Sequence, residues 1–286
     1  MTNLTVLGGR GFVGSTYVKK YYDQAVGNIV SINERNDLNV YSKDVLYFIS
    51  TVHNYNVFDN PTLDIETNLI ILVKVLENWR KHPDSKDGVF NFISSWFVYG
   101  KQEHPHGVKE DAICDPKGFY SITKRCAEQL LISYCSTHNL KYRILRLGNV
   151  IGEGDKKVSA RKNALQYMVN HILEGKPVEV YGDGHFHRDF IHVEDCVTAI
   201  DLVINKGNVN SIYNIGNGKM WDFITILSYV KIMSNSGSKI EHVEPKEFHK
   251  AVQIPSFYMD VSKLKALGFE PKYKYAKLYA TLLRED

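Results

Sequence analysis

A tyrosine and a lysine four residues apart, Tyr120 and Lys124, are the side chains whose types and spacing first suggest chemistry. On a helix, residues at this separation lie on one face, one turn apart. A nearby ammonium favours the phenolate, so the pair predicts a pKa for Tyr120 below its usual value of about 10. Such a phenol can take a proton from an alcohol or return one to a ketone. Because the spacing is common in ordinary helices, the interpretation depends on what the rest of the chain places beside it.

A glycine-rich turn follows the first apolar run of the chain and precedes a helical pattern that reaches Tyr21. The apolar run is LTVL, at 4–7, and the turn is GGRGFVG, at 8–14, which contains the spacing G-x-G-x-x-G. Glycines permit a tight turn and let backbone N–H groups approach a pyrophosphate at the helix N-terminus. A strand, a glycine turn and a helix start in this order indicate a dinucleotide-binding site rather than an ordinary turn.

The end of the second predicted strand, at 28–32, bears on which dinucleotide is bound. An acidic residue at this position binds the ribose hydroxyls of NAD. Here Asn33 stands at the strand end and is followed by Glu34 and Arg35. A neutral residue with an arginine tolerates the 2′-phosphate of NADP better than an aspartate would, although Glu34 can still hold a ribose. The sequence therefore favours NADP and leaves NAD open.

The elements that position these residues alternate between apolar strands and amphipathic helices. Further strands are predicted at 44–51, 89–95 and 142–147, and helices are predicted from Pro61 and around Tyr120. This order predicts an α/β fold of the Rossmann type, a doubly wound parallel sheet, with a smaller C-terminal α/β substrate lobe. We assign residues 1–151 to the dinucleotide-binding domain, with a returning strand near 211–216, and 152–286 mostly to the discontinuous substrate lobe.

Composition excludes several classes of protein. The 286 residues are 44% hydrophobic and 23% charged, as in an ordinary globular protein, and the net charge of +3 is too weak to indicate nucleic-acid binding. The four cysteines fit neither a disulfide framework nor a zinc site, so we read them as reduced thiols and expect no metal. The most apolar segment, 69–76, is too short to span a bilayer, and no signal peptide fits the N-terminus. We expect a cytoplasmic protein that binds neither membrane nor nucleic acid.

Together these features resemble the extended short-chain dehydrogenase/reductase family that modifies nucleotide-diphosphate sugars, also described as NAD-dependent epimerases and dehydratases. The resemblance covers nearly the whole chain, and the order of its motifs is more specific than any one of them. The motifs are GGRGFVG at 8–14, NFISSWFVYG at 91–100, YSITK at 120–124, RLGNVIG at 146–152, VYGDGHFHRDFIHVED at 180–195, YNIGNG at 213–218 and DVSKLKALGFEP at 260–271.

The resemblance implies a role for each matching position. Tyr120 would be the catalytic acid or base, Lys124 would bind the nicotinamide ribose, and Ser95 would hydrogen-bond the reacting sugar oxygen. The dinucleotide would contact the glycine turn, the ends of the second and third strands, and an asparagine on the helix after Pro61: Gly8, Gly11, Phe12, Val13, Gly14, Asn33, Arg35, Ile49, Ser50 and Asn68. The sugar nucleotide would contact Ser95, Trp96, Asn149, Arg188 and Lys250.

Departures from the family pattern narrow the reaction. The dehydratase branch places an acidic pair directly after the Ser95 position, where this chain has Trp96 and Phe97, which cannot transfer protons. A 4-keto-sugar reductase using NADPH and a 4-epimerase using bound NAD both remain. The strand end at Asn33 and Arg35 favours the reductase.

Two further expectations come from the resemblance. The helix after Pro61 and the helix of Tyr120 are surfaces that members of the family commonly pair, which predicts a homodimer. A dinucleotide-binding sensor or scaffold without activity is the alternative from another class. Such proteins typically lose the tyrosine or the lysine, and this chain keeps both.

Overall fold

The computed structural model describes residues 4–22, 27–32, 37–102, 106–155, 159, 161–252, 254, 256–274 and 281–283. Within these ranges the strands are β1 (Leu4–Leu7), β2 (Ile29–Ile32), β3 (Asp44–Tyr47), β4 (Val89–Ser95), β5 (Lys141–Leu147), β6 (Asn149–Ile151), β7 (Val178–Tyr181), β8 (His187–Arg188), β9 (Phe190–His192), β10 (Ser211–Ile215), β11 (Trp221–Asp222) and β12 (Ile240–Val243).

The helices of the same ranges are α1 (Phe12–Tyr21), α2 (Asn56–Asp59), α3 (Thr62–Ile65), α4 (Ile71–Arg80), α5 (Phe119–His138), α6 (Ala164–Leu173), α7 (Val193–Lys206), α8 (Phe223–Met233), α9 (Glu247–Val252) and α10 (Ser262–Lys265). A π-turn, Glu66–Ile70, joins α3 to α4, and a 3₁₀ turn, Trp96–Tyr99, follows β4.

Six parallel strands form the central sheet in the order β10-β5-β4-β3-β1-β2. Every residue of β1, β3 and β4 is buried, which is why these strands are mainly apolar and do not alternate between apolar and polar residues. Strand order reverses between β1 and β3, and in such sheets ligands bind in the crevice at the carboxyl ends of the strands. The fold is thus a Rossmann-type doubly wound sheet.

Helices cover both faces of the sheet. One apolar cluster packs α1 and α7 against one face, through residues such as Tyr17 and Ile200. A second cluster packs α4 and α5 against the other, through Leu76 and Leu131. A third cluster, centred on α6, β7 and α8, forms the core of the C-terminal part of the chain. The division at residue 151 stays a prediction.

Three two-stranded pairs build the C-terminal part: β6 with β9, β7 with β12, and β8 with β11. The first pair carries Asn149 beside the backbone of Asp189, whose carboxylate accepts hydrogen bonds from the N–H groups of Asn217, Gly218 and Met259. This buried carboxylate ties the chain after β10 to the chain after α9. None of the described helices is long and apolar enough to cross a bilayer.

Element boundaries differ from the predicted ones at two places that matter for the site. Strand β3 ends at Tyr47 rather than at residue 51, so 48–51 are extended chain beyond the sheet. The single helix predicted from Pro61 is interrupted by the π-turn, which inserts an extra residue into one helical turn. Both irregularities lie beside Ser50 and Asn68, two of the predicted site residues.

Candidate active site

The glycine turn is tightly packed at Gly14 and open at Gly11. Gly8 has φ +84°, a conformation that favours glycine, and the N–H of Gly11 donates to the Gly8 carbonyl at 3.1 Å. A Cβ on Gly14 would lie only 2.6 Å from the Gly8 oxygen, whereas one on Gly11 would meet nothing closer than 3.4 Å. Helix α1 begins at Phe12, so the first-turn N–H groups of Phe12 and Val13 have no partner inside the helix.

The chain that follows β3 lies directly against this turn. A Cβ on Gly8 would be 3.0 Å from the backbone nitrogen of Ile49. The next residue, Ser50, has its hydroxyl 2.6 Å from the Thr51 carbonyl and 3.1 Å from Oδ1 of Asn68. The structure therefore brings the glycine turn, Ile49, Ser50 and Asn68 together, although residues 33–36, and with them Asn33 and Arg35, lie outside the described residues.

Asn68 is buried in the π-turn and uses its whole amide in contacts within the protein. Its Oδ1 accepts from the Thr51 N–H at 2.9 Å as well as from Ser50. Its Nδ2 donates to the hydroxyls of Thr51, at 2.8 Å, and Thr123, at 3.0 Å. Asn68 thus joins the end of β3 to helix α5, next to Tyr120.

Tyr120 lies at the start of α5, 7% exposed, and the hydroxyls of Ser95 and Ser50 are near enough to its phenol to lower its pKa. Ser95 ends β4 and accepts a hydrogen bond from the Phe97 N–H at 3.3 Å. Two strand ends therefore bring a hydroxyl each to the phenol, on the side where the glycine turn lies.

The pKa of Tyr120 is raised above its ordinary value. Burial is the largest cause, the negative charge of Asp64 adds to it, and the hydrogen bonds with Ser95 and Ser50 oppose it. The lowered pKa expected from the neighbouring lysine is therefore wrong for this arrangement. The physical reason is that desolvation of the phenolate outweighs every favourable contact that the phenol makes.

Lys124 lies one helical turn after Tyr120 and is buried. Its ammonium donates to the Ile93 carbonyl at 2.7 Å and lies 4.2 Å from the centre of the Phe92 ring. Burial lowers the pKa of Lys124 to about 7, against the opposing effect of the Glu128 charge. At neutral pH, the lysine is therefore poised between its charged and neutral forms.

Glu128 continues the same helix face one turn further and anchors the strands behind the site. Its two oxygens accept from Nε and NH2 of Arg146 at 2.9 and 2.8 Å, a two-pronged pair in which both side chains are buried. Oε1 also accepts from the Ser94 hydroxyl at 2.6 Å. This contact directs Ser94 away from the phenol, so Ser95 alone of the two serines contacts Tyr120.

The two residues after Ser95, Trp96 and Phe97, form an aromatic wall beside the phenol. The buried Trp96 ring stacks on Phe97, with ring centres 4.2 Å apart, and Phe97 meets the Tyr120 ring edge-on at 6.3 Å. The guanidinium of Arg188 lies 5.4 Å over Trp96, and burial lowers its pKa to about 10. Phe97 therefore connects the Trp96 ring to the ring of Tyr120.

The remaining predicted substrate residues divide into two groups. Asn149 lies beside Arg188, since its N–H and its Nδ2 both donate to the Asp189 carbonyl, at 2.9 and 3.2 Å. Lys250, by contrast, is exposed on α9 and pairs with Glu247 at 2.9 Å. The contacts of Lys250 give it no link to Arg188 or Asn149, and its role stays a prediction.

Two buried acids of the site were missed in the sequence. Glu128 could have been found, because Tyr120, Lys124 and Glu128 recur at four-residue spacing on one helix face. Asp64 lies one turn before Asn68 and contacts Thr51, but nothing in the pattern of α3 separates it from a surface carboxylate. Its burial depends on how the chain after β3 packs over it.

The site can bind one oxygen atom between a phenol and a serine hydroxyl and exchange a proton with it. The buried surroundings strengthen these hydrogen bonds and exclude water. A second binding surface, formed by Arg188 and Asn149, faces the same aromatic wall. An arginine suits a phosphate group because its planar fork gives paired, charge-assisted hydrogen bonds.

Comparison with known proteins shows which proteins this chain resembles. The chain is 27% identical to the low-salt glycan biosynthesis protein Agl12 of Haloferax volcanii, over 96% of this chain and 94% of that protein. It is 25% identical to a putative UDP-glucose 4-epimerase of Methanocaldococcus jannaschii, over 94% and 93%. A crystal structure of UDP-glucose 4-epimerase from Thermotoga maritima shares the fold, with a TM-score of 0.85, 24% identity and coverage of 99% and 98%.

The model of one protein family matches residues 45–216, which is more than half of the chain and includes Ser95, Tyr120 and Lys124. The chain belongs to the NAD dependent epimerase/dehydratase family, and it is an enzyme of the extended short-chain dehydrogenase/reductase type.

Proposed function

We propose that the protein catalyses NAD(P)-dependent oxidoreduction at C4 of a nucleotide-diphosphate sugar. The observation that carries this proposal is the contact of Tyr120 with Ser95, with Lys124 one turn further along the helix and the glycine turn close by. The name of one relative, a putative UDP-glucose 4-epimerase, supports C4 as the reacting carbon.

The residues around the glycine turn fit a dinucleotide. The open side at Gly11 and the first-turn N–H groups of Phe12, Val13 and Gly14 would hold its pyrophosphate, and helix α1 has no acidic residue in its first turn to repel it. Ile49, Ser50 and Lys124 would line the nicotinamide end. When bound, the nicotinamide supplies the hydride chemistry, accepting a hydride from C4 or delivering one to it.

Within this reaction, Ser95 and Tyr120 bind the oxygen on C4. Tyr120 takes the hydroxyl proton when the alcohol is oxidised and returns a proton when the ketone is reduced. Arg188 and Asn149 hold the diphosphate, which fixes the sugar ring against the phenol. Because the pKa of Tyr120 is raised, the phenol is protonated at neutral pH and suits the role of an acid towards a ketone.

We infer that ketone reduction is the first candidate reaction and 4-epimerisation the second. Asn33 and Arg35 in the sequence, which favour NADP, support a 4-keto-sugar reductase. The name of one relative, a putative UDP-glucose 4-epimerase, favours the epimerase, in which bound NAD takes the hydride and returns it to the other face. Loss of reduced-nicotinamide absorbance in proportion to a 4-keto sugar indicates the reductase, and turnover without consumption of the cofactor indicates the epimerase.

A 4,6-dehydratase is disfavoured by the two side chains after Ser95. Elimination of water across C5 and C6 needs an acid and a base beside the sugar. Both positions hold aromatic rings, and the nearer ring, Phe97, has no group that exchanges a proton. Formation of a 4-keto-6-deoxy product from a nucleotide-glucose would contradict this conclusion.

Replacing Tyr120 by phenylalanine tests the proposed function directly. Turnover should fall by about 10²- to 10⁴-fold, since the proton-transferring group is lost. Binding of NAD(P), measured by calorimetry, should persist, since Lys124 and the glycine turn remain. Tyr134→Phe is the matched control, because Tyr134 lies on the same helix but contacts Glu77 and Arg80 instead. Unchanged biological activity in Tyr120→Phe would favour a dinucleotide-binding scaffold, and equal turnover would show that Tyr120 does not transfer the proton.

We also propose a homodimer formed through α4, α5 and the π-turn. These elements lie side by side on one face of the sheet and expose apolar side chains to solvent, among them Ile70, Val73, Ile122 and Leu130. A second copy that covers this face would remove these groups from water. Light scattering on the purified protein would give the mass directly.

A further inference from the structure

Asp64 is a buried carboxylate next to the site, and the proposed reaction does not require it. The side chain is completely buried on α3. Its Oδ1 accepts hydrogen bonds from the Thr51 hydroxyl and, at 2.9 Å, from Nδ2 of Asn56. Its Oδ2 is buried and has no hydrogen-bond partner among the described residues. A buried charge with half of its acceptor capacity unused is costly, so its presence calls for a physical reason.

The carboxylate fixes the direction of the hydrogen bonds around Asn68. A carboxylate only accepts, so the Thr51 hydroxyl must donate to Asp64 and keeps only lone pairs for other partners. One of them accepts from Nδ2 of Asn68 at 2.8 Å. Oδ1 of Asn68 is thereby turned towards the Thr51 N–H, at 2.9 Å, and the Ser50 hydroxyl, at 3.1 Å.

Two sets of hydrogen bonds connect Asn68 to Tyr120. In the first, Oδ1 of Asn68 accepts from the Ser50 hydroxyl at 3.1 Å, which holds Ser50 beside the phenol. In the second, Nδ2 of Asn68 donates to Thr123, whose own hydroxyl donates to the Tyr120 carbonyl at 2.9 Å. The first set therefore holds a hydroxyl beside the phenol, and the second holds the backbone of Tyr120.

We propose that Asp64 is a positioning residue for the reaction at Tyr120: its buried carboxylate sets the direction of the hydrogen bonds through Thr51 and Asn68 that hold Ser50 and Thr123 against Tyr120. This inference rests on the proposed function for the identity of the reacting group. The hydrogen-bonded contacts themselves do not depend on which substrate is bound.

The charge of Asp64 acts on the phenol as well. It raises the pKa of Tyr120, in addition to the larger effect of burial. The other charged groups of the neighbourhood include Lys124, from α5, and the residues His53, Arg161 and Asp59; His53 interacts electrostatically with Asp64, Arg161 and Asp59. The remaining groups facing the phenol are the hydroxyls from the two strand ends and the Phe97 ring, none of them charged. Asp64 is thus the negative charge whose removal should lower the pKa of Tyr120.

Asp64→Asn tests the proposal through the pH dependence of turnover. The midpoint that reports Tyr120 should move to lower pH, because a negative charge that disfavours the phenolate is removed. The shift has the same sign whether the phenol acts as acid or as base. Glu66→Gln is the matched control, since it removes the same charge from an exposed position two residues away and should leave the midpoint unchanged. An unmoved midpoint in Asp64→Asn would overturn the proposal.

Thr51→Val separates orientation from charge and provides a second variant if Asp64→Asn fails to fold. It removes the hydroxyl between Asp64 and Asn68 but keeps the carboxylate, so kcat should fall about tenfold, the effect of losing one oriented hydrogen bond, without the downward shift in midpoint. Unchanged kcat in Thr51→Val would contradict the positioning role.

A separate observation would show that the proposed function is wrong. In that case, the wild-type protein would turn over no nucleotide sugar. The pKa of Tyr120 can then still be measured without substrate, from the difference in tyrosinate absorbance between each protein and its Tyr120→Phe counterpart. A lower value in the Asp64→Asn background supports the inference, and an equal value overturns it.

Discussion

Replacing Glu128 by glutamine would test the buried ion pair that supports the ends of β4 and β5. The side chains of Glu128 and Arg146 are 0% and 1% exposed and are joined by hydrogen bonds of 2.9 and 2.8 Å. Glutamine leaves the guanidinium buried without a counter-charge and puts an N–H donor where an oxygen accepted. Removing one partner of such a pair costs about 3 to 5 kcal/mol of the free energy of unfolding.

The measurement is the thermal unfolding midpoint. For a chain of this size, one kcal/mol corresponds to roughly 2 to 4 °C, so Glu128→Gln should lower the midpoint by roughly 6 to 20 °C. Arg125→Met is the matched control, because Arg125 binds the same carboxylate at 2.9 Å from a side chain that is 28% exposed, and such a pair contributes about 1 kcal/mol or less. The double variant Glu128→Leu, Arg146→Met should lose less than the sum of the single changes, because no unpaired charge remains.

Acidification provides an independent check on the same pair. Burial alone would raise the pKa of Glu128, but the hydrogen bonds and charge of Arg146, with those from Ser94 and Arg125, outweigh it and lower the pKa. A carboxyl with a lowered folded-state pKa stabilises the protein above its ordinary value of 4.5 and loses that contribution as pH falls through the folded-state value. The difference in midpoint between wild type and Glu128→Gln should therefore shrink on acidification. A Glu128→Gln midpoint within a degree of wild type, at neutral pH, would refute this reasoning.

Three further outcomes are expected. Gly14→Ala should weaken NAD(P) binding at least tenfold in a fluorescence titration, because the new Cβ would lie 2.6 Å from the Gly8 oxygen and force the turn to open; unchanged affinity would mean that the turn does not hold the dinucleotide. Lys124→Met should abolish turnover yet raise the thermal unfolding midpoint, and the rise should be larger at about pH 6 than at about pH 9. In the wild type, the pKa of Lys124 is about 7, below its ordinary value of 10.5, so the buried charge opposes folding fully below pH 7 and progressively less above it. An equal rise in midpoint at both pH values would contradict this reasoning. Ile122→Glu should halve the mass seen by light scattering if the proposed dimer face is correct, because Ile122 is 47% exposed in the single chain and a carboxylate there would be buried by a second copy.

The sheet and the Tyr120–Lys124 pair could be predicted because each leaves a periodic signal in the sequence. Strands buried on both faces are mainly apolar runs, as in 89–95, and the glycine turn stands between the first strand and the first helix. Tyr120 and Lys124 share a helix face at a fixed spacing. These signals are local, so a single sequence is sufficient to detect them.

What could not be predicted depends on contacts between distant segments. The burial of Asp64 requires Thr51 and Asn56 to fold over it, and the raised pKa of Tyr120 requires a depth of burial that no spacing reports. The early end of β3 has the same origin, since Ser50 and Thr51 leave the sheet to bind Asn68. Apolar pattern alone extended that strand to residue 51.

Deleting a single residue between Glu66 and Ile70 would turn the π-turn into an ordinary α-helical turn. Each helical residue advances by about 100°, so α3 would rotate by that angle relative to α4. Leu72 and Leu76 would keep their places against the sheet, whereas Asp64 would swing away from Thr51. A shortened version of this chain could therefore fold normally and still lose the contact between Asp64 and Thr51, so the length of this helix matters to the candidate site as well as its residues.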